Sequence, residues 1–287
     1  MTHTGFSVST GELPGGNRPS EDRIHQAPAA VVVLDGVSTV SDDEPRGGWY
    51  AQTLGEHLTA GLTDEPDADL RHLLETALAA MVHDHDLVPG ASPAATVSIV
   101  RHHGDRIDTL VLADSPVAAF TTSGQVHQVH DDRLARLVAD RPERAAYRAA
   151  LRSGRGFQNP EHRALLQQLR AHQLLHVNRD VPGGYWVAEA IPEAARHAVV
   201  RSWPAADIAD ILVMTDGASS GVEDYGLYSN WEEMAHACRT QGPGNVVRSI
   251  HEAEAEDPDG QRWPRYKRHD DKALAHLRLI PTAEPAS

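Results

Sequence analysis

Ala30-Val31-Val32-Val33-Leu34-Asp35-Gly36 is the stretch on which the reading of this chain turns. Its five consecutive apolar residues read as a short strand buried on both faces, because a strand with one wet face would alternate apolar and polar. Asp35-Gly36 ends the run, so a carboxylate stands at the mouth of a rigid element. Ile211-Leu212-Val213-Met214-Thr215-Asp216-Gly217 repeats the design. A single Asp-Gly is most simply a turn. Two apolar strands that both end in one form a more specific pattern.

Outward from these two strands, the chain sorts into blocks. Phe6 to Ser9 reads as a first strand, and residues 11–20, rich in Gly, Pro, Asn and Ser, read as a loop. Leu54, Leu58 and Leu62, then Leu70, Leu73, Leu74, Leu78 and Met81, carry helical spacing over 46–62 and 67–86. Ala95 to Val100, Ile107 to Leu112 and Val117 to Thr121 are three short strands. His103-Gly104-Asp105 and Asp114-Ser115-Pro116 separate them, which predicts an antiparallel meander. Residues 131–175 are helical, broken near Ser153 to Gly156. Strands resume at 185–187, 197–202 and 208–214, two helices begin near 231 and 244, and 273–279 is a last strand. Strands and helices are segregated rather than alternating, which favours α+β over a doubly wound sheet.

Composition narrows the function. The chain has 287 residues and a formal charge of −15, against a nucleic-acid partner and against an anionic membrane surface as partner. Cys238 is the one cysteine, so no intramolecular disulfide framework exists. The first residues show no basic segment before an apolar run, and no apolar run approaches the roughly 20 residues of a bilayer span. A cytoplasmic location is the expectation.

Further acids flank turn formers in Ser20-Glu21-Asp22-Arg23, Leu112-Ala113-Asp114-Ser115 and His269-Asp270-Asp271. Carboxylates converging at strand ends make an oxygen-rich site for a hard cation such as Mg²⁺ or Mn²⁺. Gly36 allows close backbone approach and can present its carbonyl as a ligand.

This ordered set, with Ala94-Ala95-Thr96, resembles the type-2C metal-dependent serine/threonine protein phosphatases, the PPM family, in its bacterial form, from about residue 6 to 279. The resemblance implies an α-β-β-α sandwich: two antiparallel sheets flanked by helices, with metals at one end. It implies residues 1–280 as one phosphatase domain, 131–184 as a flap-like insert, and 281–287 as a disordered tail. It implies Mn²⁺ or Mg²⁺, two ions with a third, weaker one. Asp35 would bridge the pair and Gly36 would lend its carbonyl to the second ion. Asp216 and Asp270 complete the first. Glu21 serves the second, Asp22 stands behind it, and Asp114 helps hold the third. Asp35 and Asp216 are thereby the catalytic aspartates. The implied chemistry is hydrolysis of phosphoserine or phosphothreonine by a binuclear-metal-activated hydroxide, with phosphoproteins made by a serine/threonine kinase as substrates.

Departures from the family pattern are equally specific. The phosphate-binding arginine often lies four residues before the glutamate, where this chain has Asn17. Arg18 is the candidate in its place. Val37 stands where animal members carry a histidine, and Pro116 replaces the arginine of the Gly-Asp-Ser-Arg motif. The alternatives are a catalytically weak or inactive relative that binds phosphorylated partners, the same chemistry on a small phosphate ester or an anti-sigma-factor antagonist, and a two-metal nuclease, which the charge disfavours. Arg133, Arg136, Arg152, Arg155 and Arg170 make the insert basic, either to steer an acidic substrate or as a solvated face of local ion pairs. Trp263 to Arg268 is a basic-aromatic patch that touches substrate or covers the last strand. His83-Asp84-His85-Asp86 reads as a helix end rather than a metal cluster.

Overall fold

The computed structural model describes residues 5–37 and 46–280; the expected tail at 281–287 lies outside them. β1 (Phe6–Leu13), β12 (Lys272–Leu279), β11 (Ile208–Met214), β8 (Val117–Thr121) and β9 (Val126–Val129) form one sheet in that order. The second sheet runs β10 (Val199–Pro204), β7 (Arg106–Leu112), β6 (Val97–His103), β3 (Ala30–Leu34) and β2 (Arg23–Ala27). Every pairing in both is antiparallel.

β3 shows why the apolar run has its length. Val31 and Val33 join Val100, Val111, Val117, Ile211, Val213 and Ala275 in the core between the sheets. Ala30, Val32 and Leu34 face outward into a second core under α1 (Gly47–Asp64) and α2 (Leu70–His85). The outer face of the other sheet is covered by α6 (Asp216–Glu223), α7 (Trp231–Gln241) and α8 (Pro243–Glu256), packed on Leu212, Met214 and Leu274. The architecture is therefore α+β, a sandwich with helices on both outer faces. α3 (Arg133–Ala139), α4 (Pro142–Arg152) and α5 (Pro160–Leu174) build a small core of their own around Tyr147, Leu151 and Leu169.

The structure corrects several expectations. The three central strands are not one meander. β6 and β7 pair as a hairpin, but β8 lies in the opposite sheet between β11 and β9. Asp114-Ser115-Pro116 is a crossing between sheets, not a reversal. Strand β1 continues to Leu13, because residues 11–13 pair with β12 despite their loop-like composition. The strand expected at 185–187 is replaced by two isolated bridges, Val177 with Tyr185 and Ala95 with Ala188 just beyond it. Pro192–His197 is a 3-10 turn, so the strand expected from 197 begins at Val199. His83 and His85 sit in the last turn of α2, with Asp86 as its left-handed cap.

The crossing carries local strain. Ala113 has φ of 67°, a left-handed conformation unfavourable for a residue with a Cβ. Its N–H donates to the Asp131 carboxylate at 3.2 Å, and Arg133 holds that carboxylate through Nε at 2.7 Å. Ala113→Gly is expected to relieve about 1–2 kcal/mol of strain against roughly 0.5–1 kcal/mol of added chain entropy. The melting temperature should rise by about 1–3 °C; a fall would show that the conformation is not strained.

Candidate metal centre

Both Asp-Gly strand ends open at the same end of the sandwich. Glu21, Asp35, Asp114, Asp216 and Asp270 line one cavity of about 840 Å³, together with Gly36 and Val37. β3 delivers Asp35, β11 delivers Asp216 at the start of α6, and the crossing after β7 delivers Asp114. Asp270 precedes β12, and Glu21 comes from the loop before β2.

Hydrogen bonds to hydroxyl and carboxylate oxygens fix these positions. Asp35 N–H donates to Thr96 Oγ1 at 3.1 Å, and Thr96 Oγ1 lies 2.5 Å from Ser115 Oγ, so the first strand end is tied to the crossing. The Asp271 carboxylate accepts from Gly15 N–H and Glu21 N–H, both at 2.7 Å. That pair stitches the loop of residues 15–21 onto the last strand. Gly36 and Gly47 let two backbones meet: a Cβ on Gly36 would lie 2.4 Å from the Gly47 carbonyl oxygen. On Gly217 it would lie 1.9 Å from the Asp271 carbonyl oxygen. The glycine after each aspartate is thus a packing requirement of the site.

Asp22 stands behind the cavity rather than in its lining. It is 3% exposed and accepts from Thr215 Oγ1 at 2.7 Å. Burial pushes its carboxyl up to about 7; the Thr215 hydrogen bond opposes this, while Asp270 and Asp271 add to it. Arg18 is exposed and lines neither this cavity nor its smaller neighbour. The insert's arginines divide. Arg136 pairs with Asp132 and Arg155 with Glu161 as exposed ion pairs, which is the solvated-face reading, whereas Arg133 braces the buried Asp131. Arg170 lines the cavity.

Several residues beyond the sequence candidates belong to the site. Asp271 is a pin, legible only as the second acid of a pair. Thr96 and Thr215 hold ligand strands. Glu189, raised by burial, lines the cavity and accepts from Gly90 N–H at 2.7 Å. Lys267 reaches Asp270 at 2.5 Å. The far wall is apolar, with Leu134, Leu166, Leu169 and Leu174 from the insert.

The electrostatics of the cavity favour a cation. Burial holds Asp35 well above the usual carboxylate range, and Asp22, Asp216 and Asp270 push it further. Asp216 is raised by burial, then by Asp270 and Asp114. Asp114 is pushed up to about 6 by burial, with Asp131, Asp270 and Glu223 adding to it. So many like charges in one mouth stay ionised only beside a cation. The donors are all oxygens, which fits a hard divalent ion such as Mg²⁺ or Mn²⁺. A second cluster, His251, Glu254 and His269, brings ligand atoms within 4.8 Å of one another, but Lys272 Nζ already occupies Glu254 at 2.7 Å.

A carboxyl raised from 3.8 holds its proton longer when folded than when unfolded. Its stabilising contribution is present below about pH 4 and lost as pH rises through 6 to 7. In chelator, Asp114→Asn should therefore melt roughly 2–4 °C above wild type at pH 8, with the gap narrowing as pH falls through 6 and closing by about pH 4. Thermal melts across pH check this, and a gap independent of pH would contradict it. Added Mn²⁺ should raise the wild-type melting temperature at pH 8.

The sequence model of the family described as protein phosphatase 2C matches residues 15–253. No curated protein matches the chain. Among solved structures, the PPM Ser-Thr phosphatase MsPP from Mycobacterium smegmatis, in complex with cacodylate, aligns at TM-score 0.57 and 18% identity, covering 97% of this chain and 100% of that one. The catalytic domain of the phosphatase PstP, in complex with 2 manganese ions, aligns at TM-score 0.55 and 16% identity, covering 96% and 99%. Stp1 from Staphylococcus aureus aligns at TM-score 0.57 and 13% identity, covering 98% of each chain. At these identities the likeness carries the fold, and the match in sequence carries the family. Among the described residues no helix is long and apolar enough to cross a membrane. The sandwich, its carboxylate mouth and a family match over most of the length agree, and the chain belongs to the protein phosphatase 2C family.

Proposed function

We propose that the protein is a cytoplasmic serine/threonine phosphatase dependent on Mn²⁺ or Mg²⁺, acting on phosphoproteins made by a kinase. The observation that carries this reading is the convergence of Glu21, Asp35, Asp114, Asp216 and Asp270 on one cavity. PstP, a structural relative, is described with 2 manganese ions. Asp35, Asp216 and Asp270 would hold one ion, and Asp35, Glu21 and the Gly36 carbonyl a second, with a weaker third beside Asp114. Such ions supply Lewis acidity for phosphoryl oxygens and a water acidic enough to act as nucleophile at neutral pH.

The chain's own residues supply the frame. Thr96 fixes Asp35 through its backbone, and Asp271 holds the Glu21 loop against β12. Asp22, through Thr215, braces the start of α6 and hence Asp216. Val37 lines the cavity where animal relatives carry a histidine, so protonation of the leaving serine or threonine oxygen falls to water. The α3–α5 insert is read as a flap whose leucines form the cavity's far wall and exclude solvent beside the carboxylates. Glu21, Asp22, Asp35, Gly36, Asp114, Asp216 and Asp270 form the proposed metal set with its supporting acid.

The test is hydrolysis of p-nitrophenyl phosphate and of a phosphothreonine peptide with Mn²⁺ or Mg²⁺. Wild type is expected to turn over, with loss in chelator and a fall of at least about a hundredfold in Asp35→Asn. A folded, metal-loaded wild type without turnover would overturn the reading in favour of a phospho-binding regulator.

A further inference from the structure

Of the 26 lysines and arginines in this sequence, all but Lys267 and Lys272 are arginines. Both lysines flank the pair Asp270-Asp271. Lys272 is fully buried against Glu254. Lys267 is different: its side chain is 60% exposed, yet its ammonium lies on Asp270 Oδ1 at 2.5 Å. It also lines both the main cavity and the smaller one of about 130 Å³ beside it.

The loop that carries it is built to place it. Arg265 donates all its side-chain hydrogen bonds inward: Nε to the Arg268 carbonyl, Nη1 to Asp257 and the Trp263 carbonyl, Nη2 to the Glu254 and Asp257 carbonyls. The Asp257 carboxylate in turn accepts from the backbone N–H groups of Gln261, Arg262 and Trp263. Tyr266 packs on Tyr147 at 5.4 Å between ring centres, and His162 Nε2 meets its carbonyl at 3.1 Å. Arg265, the neighbouring cation, is consumed by the loop, and Lys267 is left facing the carboxylates.

We propose that Lys267 is a mobile side-chain cation of this site: its ammonium competes with a divalent metal for Asp270 and, once a metal claims Asp270, turns to the substrate's phosphoryl oxygens. This deepens the phosphatase reading and rests on it for the identity of the substrate group. An ammonium on a flexible four-carbon stem has the reach and rotational freedom for this exchange. The role gives the site the phosphate-binding cation that the sequence had assigned to Arg18, which the structure leaves outside the cavity.

Two titrations test it without turnover, on Lys267→Met, Lys267→Gln and wild type, each verified as folded by its melting curve. In the first, calorimetric titration of metal-stripped protein with Mn²⁺ should show several-fold tighter binding to both variants, because no ammonium competes for Asp270. In the second, inorganic phosphate binding to Mn²⁺-loaded protein should weaken roughly tenfold or more in both variants and recover in Lys267→Arg. Unchanged or weaker Mn²⁺ binding, or unchanged phosphate binding, overturns the inference, as does a larger phosphate loss in Arg18→Ala. If wild type hydrolyses phosphate esters while the titrations do not move, this inference alone fails. If the titrations move as expected but no ester is hydrolysed, Lys267's role stands and the phosphatase reading falls.

Discussion

Mutual repulsion among carboxylates gathered at one end of a β-sandwich is the constraint around which this protein is organised. Asp35, Asp114 and Asp216 are half-buried among acids: Asp216 makes ionisation of Asp35 harder, Asp114 that of Asp216, and Asp270 that of all three. A chain gains nothing in stability from such an arrangement. It persists because the elements carrying the acids are held by forces unrelated to them. Val31, Val33, Ile211 and Val213 lock the two Asp-Gly strands into the core between the sheets. The acids are then carried to the sheet edge as a consequence of where their strands end.

The finer positions depend on single hydrogen bonds rather than on ion pairs. Thr96, Thr215 and the backbone amides held by Asp271 fix the acid-bearing segments relative to one another. Glycines 36 and 217 let backbones approach where a Cβ would collide. An oxygen-rich cavity results whose donors are rigid and whose charge invites a hard cation. The basic arm of the structure is separate: a loop braced by Asp257 and Arg265 brings one ammonium to the acids.

Much of this was legible in the sequence, for identifiable reasons. A valine run flanked by Asp-Gly has one sensible reading, so β3, β11 and their aspartates were found directly. Leucine spacing located α1 and α2 within a few residues. The crossing at Asp114-Ser115-Pro116 was not legible, because turn composition marks where a strand stops and not which sheet receives the next one. Strands β2 and β9 escaped because Arg23-Ile24-His25-Gln26 and Val126-His127-Gln128 lack a distinctive apolar pattern. The insert's arginines invited a substrate-steering reading, but Arg133, Arg136 and Arg155 spend their charge on local acids. Lys267 had no signal beyond its membership of a basic patch; its approach to Asp270 depends on the fold of a loop between a helix and a strand.

The central claim is that these carboxylates are gathered to hold divalent ions. Anomalous diffraction at the manganese edge, from crystals grown with Mn²⁺, tests it most directly. The account expects two strong peaks sharing Asp35, one also touching Asp216 and Asp270, the other Glu21 and the Gly36 carbonyl. A well-diffracting crystal grown in saturating Mn²⁺ with no manganese peak among these acids, and Lys267 still on Asp270, would contradict it.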